Sequence, residues 1–141
     1  MKRLTIIFTL LLAVLLPSCT QNNGHIGHWF GQWKVERVTI DGVDDPDYKG
    51  NVFFCFQGAV FGVRASNGAM FYGRWEETEE NSGVVNVTFN TDESSVPSST
   101  YYHVYLEAQT TLRLLSKDGN TKQLEQVASD GKTYVYYLKK W

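Results

Sequence analysis

A chain of 141 residues with a formal net charge of −2 has room for one domain with a real core and little for a second. It has no basic excess to meet a polyanion, which argues against nucleic acid as a partner, and two cysteines cannot build a disulfide-dense scaffold. The unusual count is aromatic: eight Phe, eight Tyr and four Trp, a density that points to sheet where helix signals are sparse.

Residues 1–18 read as a signal peptide. Lys2 and Arg3 form a positive n-region, and Leu4 to Leu16 an apolar run of h-region length. That run is short for a permanent membrane span. It ends in Leu16-Pro17-Ser18-Cys19, which resembles a bacterial lipobox with a small residue just before the cysteine. The resemblance implies cleavage before Cys19 and acylation of its thiol and new amino terminus, so that acyl chains hold the protein on a lipid membrane. Removing 18 residues from 141 leaves 123, drops only Phe8 from the aromatic set and moves the net charge to −4. Residues 19–28 are then the lipidated cysteine and a polar, flexible tether, and 29–141 the folded domain. Thr20 is not the aspartate that resembles an inner-membrane retention signal, and no acidic cluster follows Cys19. The expected place is therefore the periplasmic face of the outer membrane, with the cell surface as the alternative.

Short strands and turns follow in series. Trp33–Ile40 alternates, with Trp33, Val35 and Arg37 on one face and Lys34, Glu36, Val38 and Ile40 on the other, and Asp41-Gly42 ends it. A polar loop around Asp44, Asp45 and Asp47 leads to Val52–Gln57, apolar on both faces. Ala59–Ala65 and Met70–Thr78 read as strands with Gly62 and Gly73 as bend or bulge points. Val84–Thr91 alternates cleanly. Asp92–Thr100 is a polar loop long enough to be a lid or rim. Tyr101–Ser116 fits a helical stripe or strands; its Tyr, Val and Thr content predicts strands with a break near Ala108-Gln109. Thr121–Ser129 and the aromatic Thr133–Trp141 close the chain. Eight to nine strands joined by tight turns predict an all-β, antiparallel up-and-down barrel of about eight strands, with a two-sheet β-sandwich as the alternative.

Gly31-Gln32-Trp33 at the start of the first strand resembles the Gly-x-Trp opening of lipocalins and related small barrels. Ser129-Asp130-Gly131-Lys132 running into Thr133–Lys140 looks like the final hairpin of bacterial lipocalin-like lipoproteins. The resemblance implies that Trp33 closes one end of a barrel and that Gly31 lets the chain pass close beneath it. Lipocalins often set an arginine of the last strand against that Trp; here Lys139 and Lys140 are the basic candidates.

Chemistry-bearing residues are sparse. His25 and His28 lie in the tether without a third ligand nearby, so no metal site is expected. The aspartates at 41–47 do not follow a calcium loop, and Glu76, Glu77, Glu79 and Glu80 read as a solvated run. His103 reads as packing or rim, and Cys55, in an apolar run without a neighbouring base, as a buried inert thiol. No nucleophile motif, phosphate loop or dinucleotide fingerprint occurs, so neither an enzyme nor a cofactor is expected. An eight-stranded barrel has just enough interior to be filled by side chains or to hold one small ligand. Phe54, Phe56, Phe61, Phe71, Tyr72, Phe89, Tyr102, Tyr134 and Tyr136 are the candidates to line it. The primary expectation is a membrane-anchored module binding a small apolar or amphipathic ligand. The alternative is a filled barrel that serves as an interaction, inhibitor or structural module with a protein partner of unknown identity.

Overall fold

In a computed structural model of the chain, which describes residues 27–89, 96 and 102–141, strand β1 (Gly31–Ile40) organises the sheet because it pairs with three others. Its first half runs antiparallel to β3 (Val52–Gln57), and most of its length also runs antiparallel to β9 (Thr133–Lys140). Its end carries the two-residue β2 (Val43–Asp44). Between these, β4 (Val60–Ala65), β5 (Met70–Glu77), β6 (Val84–Phe89), β7 (Gln109–Asp118) and β8 (Thr121–Val127) each pair with their chain neighbours. Eight antiparallel strands therefore close through β1–β9 into an up-and-down barrel, with β2 appended. The barrel expectation holds over the sandwich. Closure satisfies the backbone groups of both would-be edges.

One departure from plain alternation lies in β1. The pairing with β9 shifts register between Val35 and Arg37. A bulge inserts one residue and reverses the faces beyond it. Trp33 and Val35 point inward before the bulge and Val38 after it, whereas Arg37, expected beside Trp33 and Val35, lies outside with its guanidinium 3.8 Å from the centre of the Tyr137 ring. Of the bend or bulge expected at Gly62 and Gly73, no bulge occurs: the ladder continues through both. The second irregularity falls in β7, between Leu114 and Ser116.

The strand expected over 101–107 is also corrected. Residues 103–107 join no sheet and form a strap across one end of the barrel, with Val104 and Leu106 buried in the core. His103 takes a left-handed φ of 53°, which breaks an extended run. Most of the polar loop before it, and the signal segment with Cys19 and His25, lie outside the described residues. The strap covers the mouth. The opposite, closed end gathers the start of β1 and the end of β9.

Gly73 is needed for clearance, since a Cβ there would lie 2.7 Å from the Thr88 carbonyl oxygen, whereas one at Gly62 would meet nothing closer than 3.5 Å. Gly73→Ala is expected to cost about 1–3 kcal/mol in urea unfolding, as overpacking against backbone does, and Gly62→Ala much less. Equal losses would refute this account of Gly73.

Candidate functional site

The inward faces of β3, β4, β5, β6 and β9 deliver large rings to one space. Phe54 packs edge-on to Phe61 and Tyr136, with centroids 5.4 and 5.3 Å apart. Phe56 packs against Phe61 and Trp75 at 5.0 and 5.1 Å, and Phe61 against Phe89 at 6.0 Å. These are the offset geometries that the aromatic quadrupole prefers. Five of the residues expected to line a cavity, Phe54, Phe56, Phe61, Phe89 and Tyr136, are buried against one another and fill the middle of the barrel.

The other four, Phe71, Tyr72, Tyr102 and Tyr134, lie elsewhere. Tyr102 is half-buried near the mouth, edge-on to Phe71 at 5.5 Å. Tyr134 is buried at the mouth. Tyr72 is overturned as an interior residue: it stands 53% exposed on the outer wall, beside Gly62. The inward positions of β5 are Phe71, Gly73 and Trp75, and the glycine interrupts the apolar stripe by which the sequence would show that phase.

Polar residues hold the strap in place. Gln126 Nε2 donates to the Tyr105 carbonyl at 2.8 Å, Tyr136 OH donates to Gln126 Oε1 at 2.8 Å, and the Tyr105 amide donates to Tyr136 OH at 3.2 Å. Three buried polar groups thereby satisfy each other. Asp45 Oδ2 accepts from Tyr105 OH at 2.9 Å and lies 3.0 Å from His103 Nδ1. Burial pushes the Asp45 carboxyl up, but hydrogen bonds from Tyr105, the Asp47 amide and His103 outweigh it and leave its pKa lowered. The Ser129 amide and hydroxyl both donate to Glu107 Oε1.

Between the strap and the β8–β9 turn opens a hollow of about 280 Å³, walled by Tyr105, Glu107, Ser129, Asp130 and Tyr134. The Tyr105 and Tyr134 rings stack at 4.4 Å with 17° between planes, and Tyr134 OH donates to Asp130 Oδ2 at 3.1 Å. Burial and the neighbouring carboxylates push the Tyr134 hydroxyl up to about 12 and raise that of Tyr105, so both remain donors at neutral pH. The hollow thus combines flat apolar surface with carboxylates, a lining suited to an amphipathic molecule with a donor or cationic group. Among the described residues, no three His, Cys, Asp or Glu side chains come together as metal ligands.

The closed end is built on Trp33, which pairs with Lys140 across β1 and β9. Its Nε1 donates to the Trp29 carbonyl at 2.8 Å. The Lys140 ammonium lies 4.6 Å from the Trp33 ring centre and donates to the Phe30 carbonyl. Of the two basic candidates at the end of the chain, Lys140 is therefore the one set against Trp33, and Lys139 pairs with Lys34. A second ammonium, that of buried Lys122, lies 4.2 Å from the same ring. Gly31, at φ 115°, gives the close approach that the Gly-x-Trp resemblance implies: a Cβ there would stand 2.5 Å from Lys140 Nζ. His28, expected in a solvated tether, instead packs on Trp29 with centroids 4.6 Å apart.

Sequence reasoning missed Lys122, Gln126, Tyr105 and Glu107. The first two carried a signal, because Lys122, Leu124 and Gln126 share the inward phase of β8, and polar residues in a buried phase mark a site. Tyr105 and Glu107 had none, since the strap has no periodicity.

In structure, the chain is similar to a lipocalin-like protein from Bacteroides uniformis ATCC 8492, with a TM-score of 0.59 and 16% sequence identity, over 82% of this chain and 100% of that one. The fold is lipocalin-like. No family model and no curated protein matches the sequence.

Burial, with the ammonium groups of Lys122 and Lys117, lowers the His28 pKa from 6.5 to about 4. Between those values the unfolded chain binds more protons, so the stability tied to neutral His28 is complete above pH 6.5 and drains as pH falls towards 4. The urea midpoint should therefore drop less in His28→Asn than in the wild type on going from neutral pH into that window. Parallel drops would show that His28 does not contribute.

Proposed function

We propose that this is a lipid-anchored lipocalin-like protein of the bacterial cell envelope, which binds a small amphipathic ligand at the barrel mouth. The observation that carries the reading is the hollow beside a ring-filled interior: the rings occupy the centre, and the recess stands between the strap and the β8–β9 turn. Its stacked tyrosines offer a flat apolar wall, and Glu107 and Asp130 offer charge. A molecule with an aromatic or short aliphatic body and an ammonium group matches both. The role is binding, not catalysis. The anchor is acylated Cys19 on the outer membrane, its periplasmic face, which supplies a fixed location and no chemistry.

Two probes test the mouth site. Tyramine should bind saturably to the wild type, and about tenfold more weakly to Glu107→Gln, which keeps an acceptor for Ser129 but removes the charge. Palmitate should not bind. Saturable palmitate binding that quenches tryptophan emission, without tyramine binding, would return the site to the barrel interior. For the anchor, Cys19→Ser should abolish both metabolic palmitate labelling and sedimentation with membranes. Retention of either would refute it.

A second reading is favoured by the outer wall of β3–β5. There Val60, Met70 and Tyr72 are exposed around a hollow of about 90 Å³ floored by Cys55 and Gly62. In that reading the filled barrel is an interaction module, and a photo-crosslinking residue at Tyr72 would capture one discrete protein partner in cells.

A further inference from the structure

Three nitrogen atoms near the closed end are buried without a hydrogen-bond partner among the described residues: Nε1 of Trp29, Nε1 of Trp75 and Nδ1 of His28. Their rings are neighbours, with centroids 4.6 Å apart for His28 and Trp29 and 6.3 Å for Trp29 and Trp75. Trp29 is 2% exposed and Trp75 5%. An indole N–H can only donate, and leaving one buried without an acceptor costs about 1–3 kcal/mol. Two such donors side by side call for an acceptor that the described side chains do not supply.

The surrounding charge says what kind. Lys122 is 2% exposed, yet no carboxylate lies at ion-pair distance from it among the described residues. Its ammonium faces the rings of Trp29 and Trp33, at 5.7 and 4.2 Å from their centres. A buried cation without an anion is rare, because the faces of two indoles recover only part of its lost hydration. Burial, and after it the ammonium groups of Lys117 and Lys140, push the Lys122 pKa down from 10.5 to about 8. The opposing group is Glu77, which acts on His28 and whose carboxylate accepts from the Gly83 amide at 2.9 Å. Of the charged groups that act on His28, two lysines face one carboxylate, and the unpartnered buried atoms are two indole donors and the Nδ1 of His28.

We propose that the closed end binds a small oxyanion, a phosphate or a carboxylate, held by the Lys122 ammonium and the indole N–H groups of Trp29 and Trp75. Lys117 and Lys140 supply the field that draws it in. The site lies across the barrel from the mouth hollow and does not depend on it. The phosphate of a membrane phospholipid would satisfy the same groups as a free anion. Only that source draws on the proposed anchor, which would bring the tether, and with it the closed end, to the membrane.

Indole N–H resonances of the folded chain read the site directly. At constant ionic strength, inorganic phosphate or acetate should shift the Trp29 and Trp75 indole signals saturably and leave that of exposed Trp141 in place. Lys122→Gln should weaken the effect about tenfold, and Lys117→Gln, at an exposed position, about threefold, as loss of a nearer and a farther charge predicts. The Lys117 variant keeps the test open if the Lys122 variant does not fold. Shifts produced by phosphatidylglycerol vesicles, absent with phosphatidylcholine vesicles and free phosphate, would identify a lipid headgroup; shifts with free phosphate identify a soluble anion. Indole signals that respond to none of these, or only to ionic strength, would overturn the proposal. Tyramine binding is read at the mouth of the same sample, so failure of one site is distinct from failure of the other.

Discussion

Everything in this barrel rests on one strand serving two neighbours at once. β1 must pair with β3 on one side and β9 on the other while keeping its apolar residues turned inward over ten positions. A regular strand would have put Arg37 in the core and Val38 in solvent. The bulge beyond Val35 corrects the phase, so that Val38 joins Val35 and Trp33 inside. Bulges also sharpen strand twist and bend, which lets one strand follow the curve of a small barrel.

With closure fixed, the interior is determined by volume. Rings of this size, brought inward from five strands, meet each other before they could enclose a space for a guest. The buried polar atoms are displaced to the two ends, where strands stop and pairing partners run out. At the mouth, Gln126, Tyr136 and Asp45 satisfy the strap and leave a recess between carboxylates and stacked tyrosines. At the closed end, the indoles and ammonium groups are only partly satisfied by one another. The two ends therefore differ in sign: the mouth offers acceptors and the closed end donors.

Much of this was legible in the sequence, for reasons that can be located. Turn dipeptides and alternation placed every strand of the barrel except where a special conformation intervened. The strap escaped because His103 takes a left-handed backbone, and because Tyr105 and Glu107 are held by partners distant in the chain. Arg37 and Tyr72 were misplaced for opposite reasons: an inserted residue reversed one phase, and an inward glycine hid the other. Gly31 and Trp33 were found because their motif encodes a close backbone approach, which depends on local sequence. The partners of Trp33 were harder: Lys140 was one of two candidates, and Lys122 gave only the weak hint of a polar residue in a buried phase.

The link between Lys140 and the Phe30 carbonyl spans 110 residues. In folding terms, the seam that seals the barrel is among its least local contacts. The meander from β3 to β8 can form by short hairpin steps, but β1 waits for β9, and ordering the long intervening loop costs entropy before the seam returns anything. Until then Trp33 lacks its cationic cap and β1 keeps an open edge. A partly made barrel of this kind would expose aromatic rings and an unpaired strand together, which is the combination most prone to association between chains. The double ammonium clasp on Trp33 thus acts as a late latch: it adds stability only when both ends of the sheet have met, and so ties the survival of the aromatic core to complete closure.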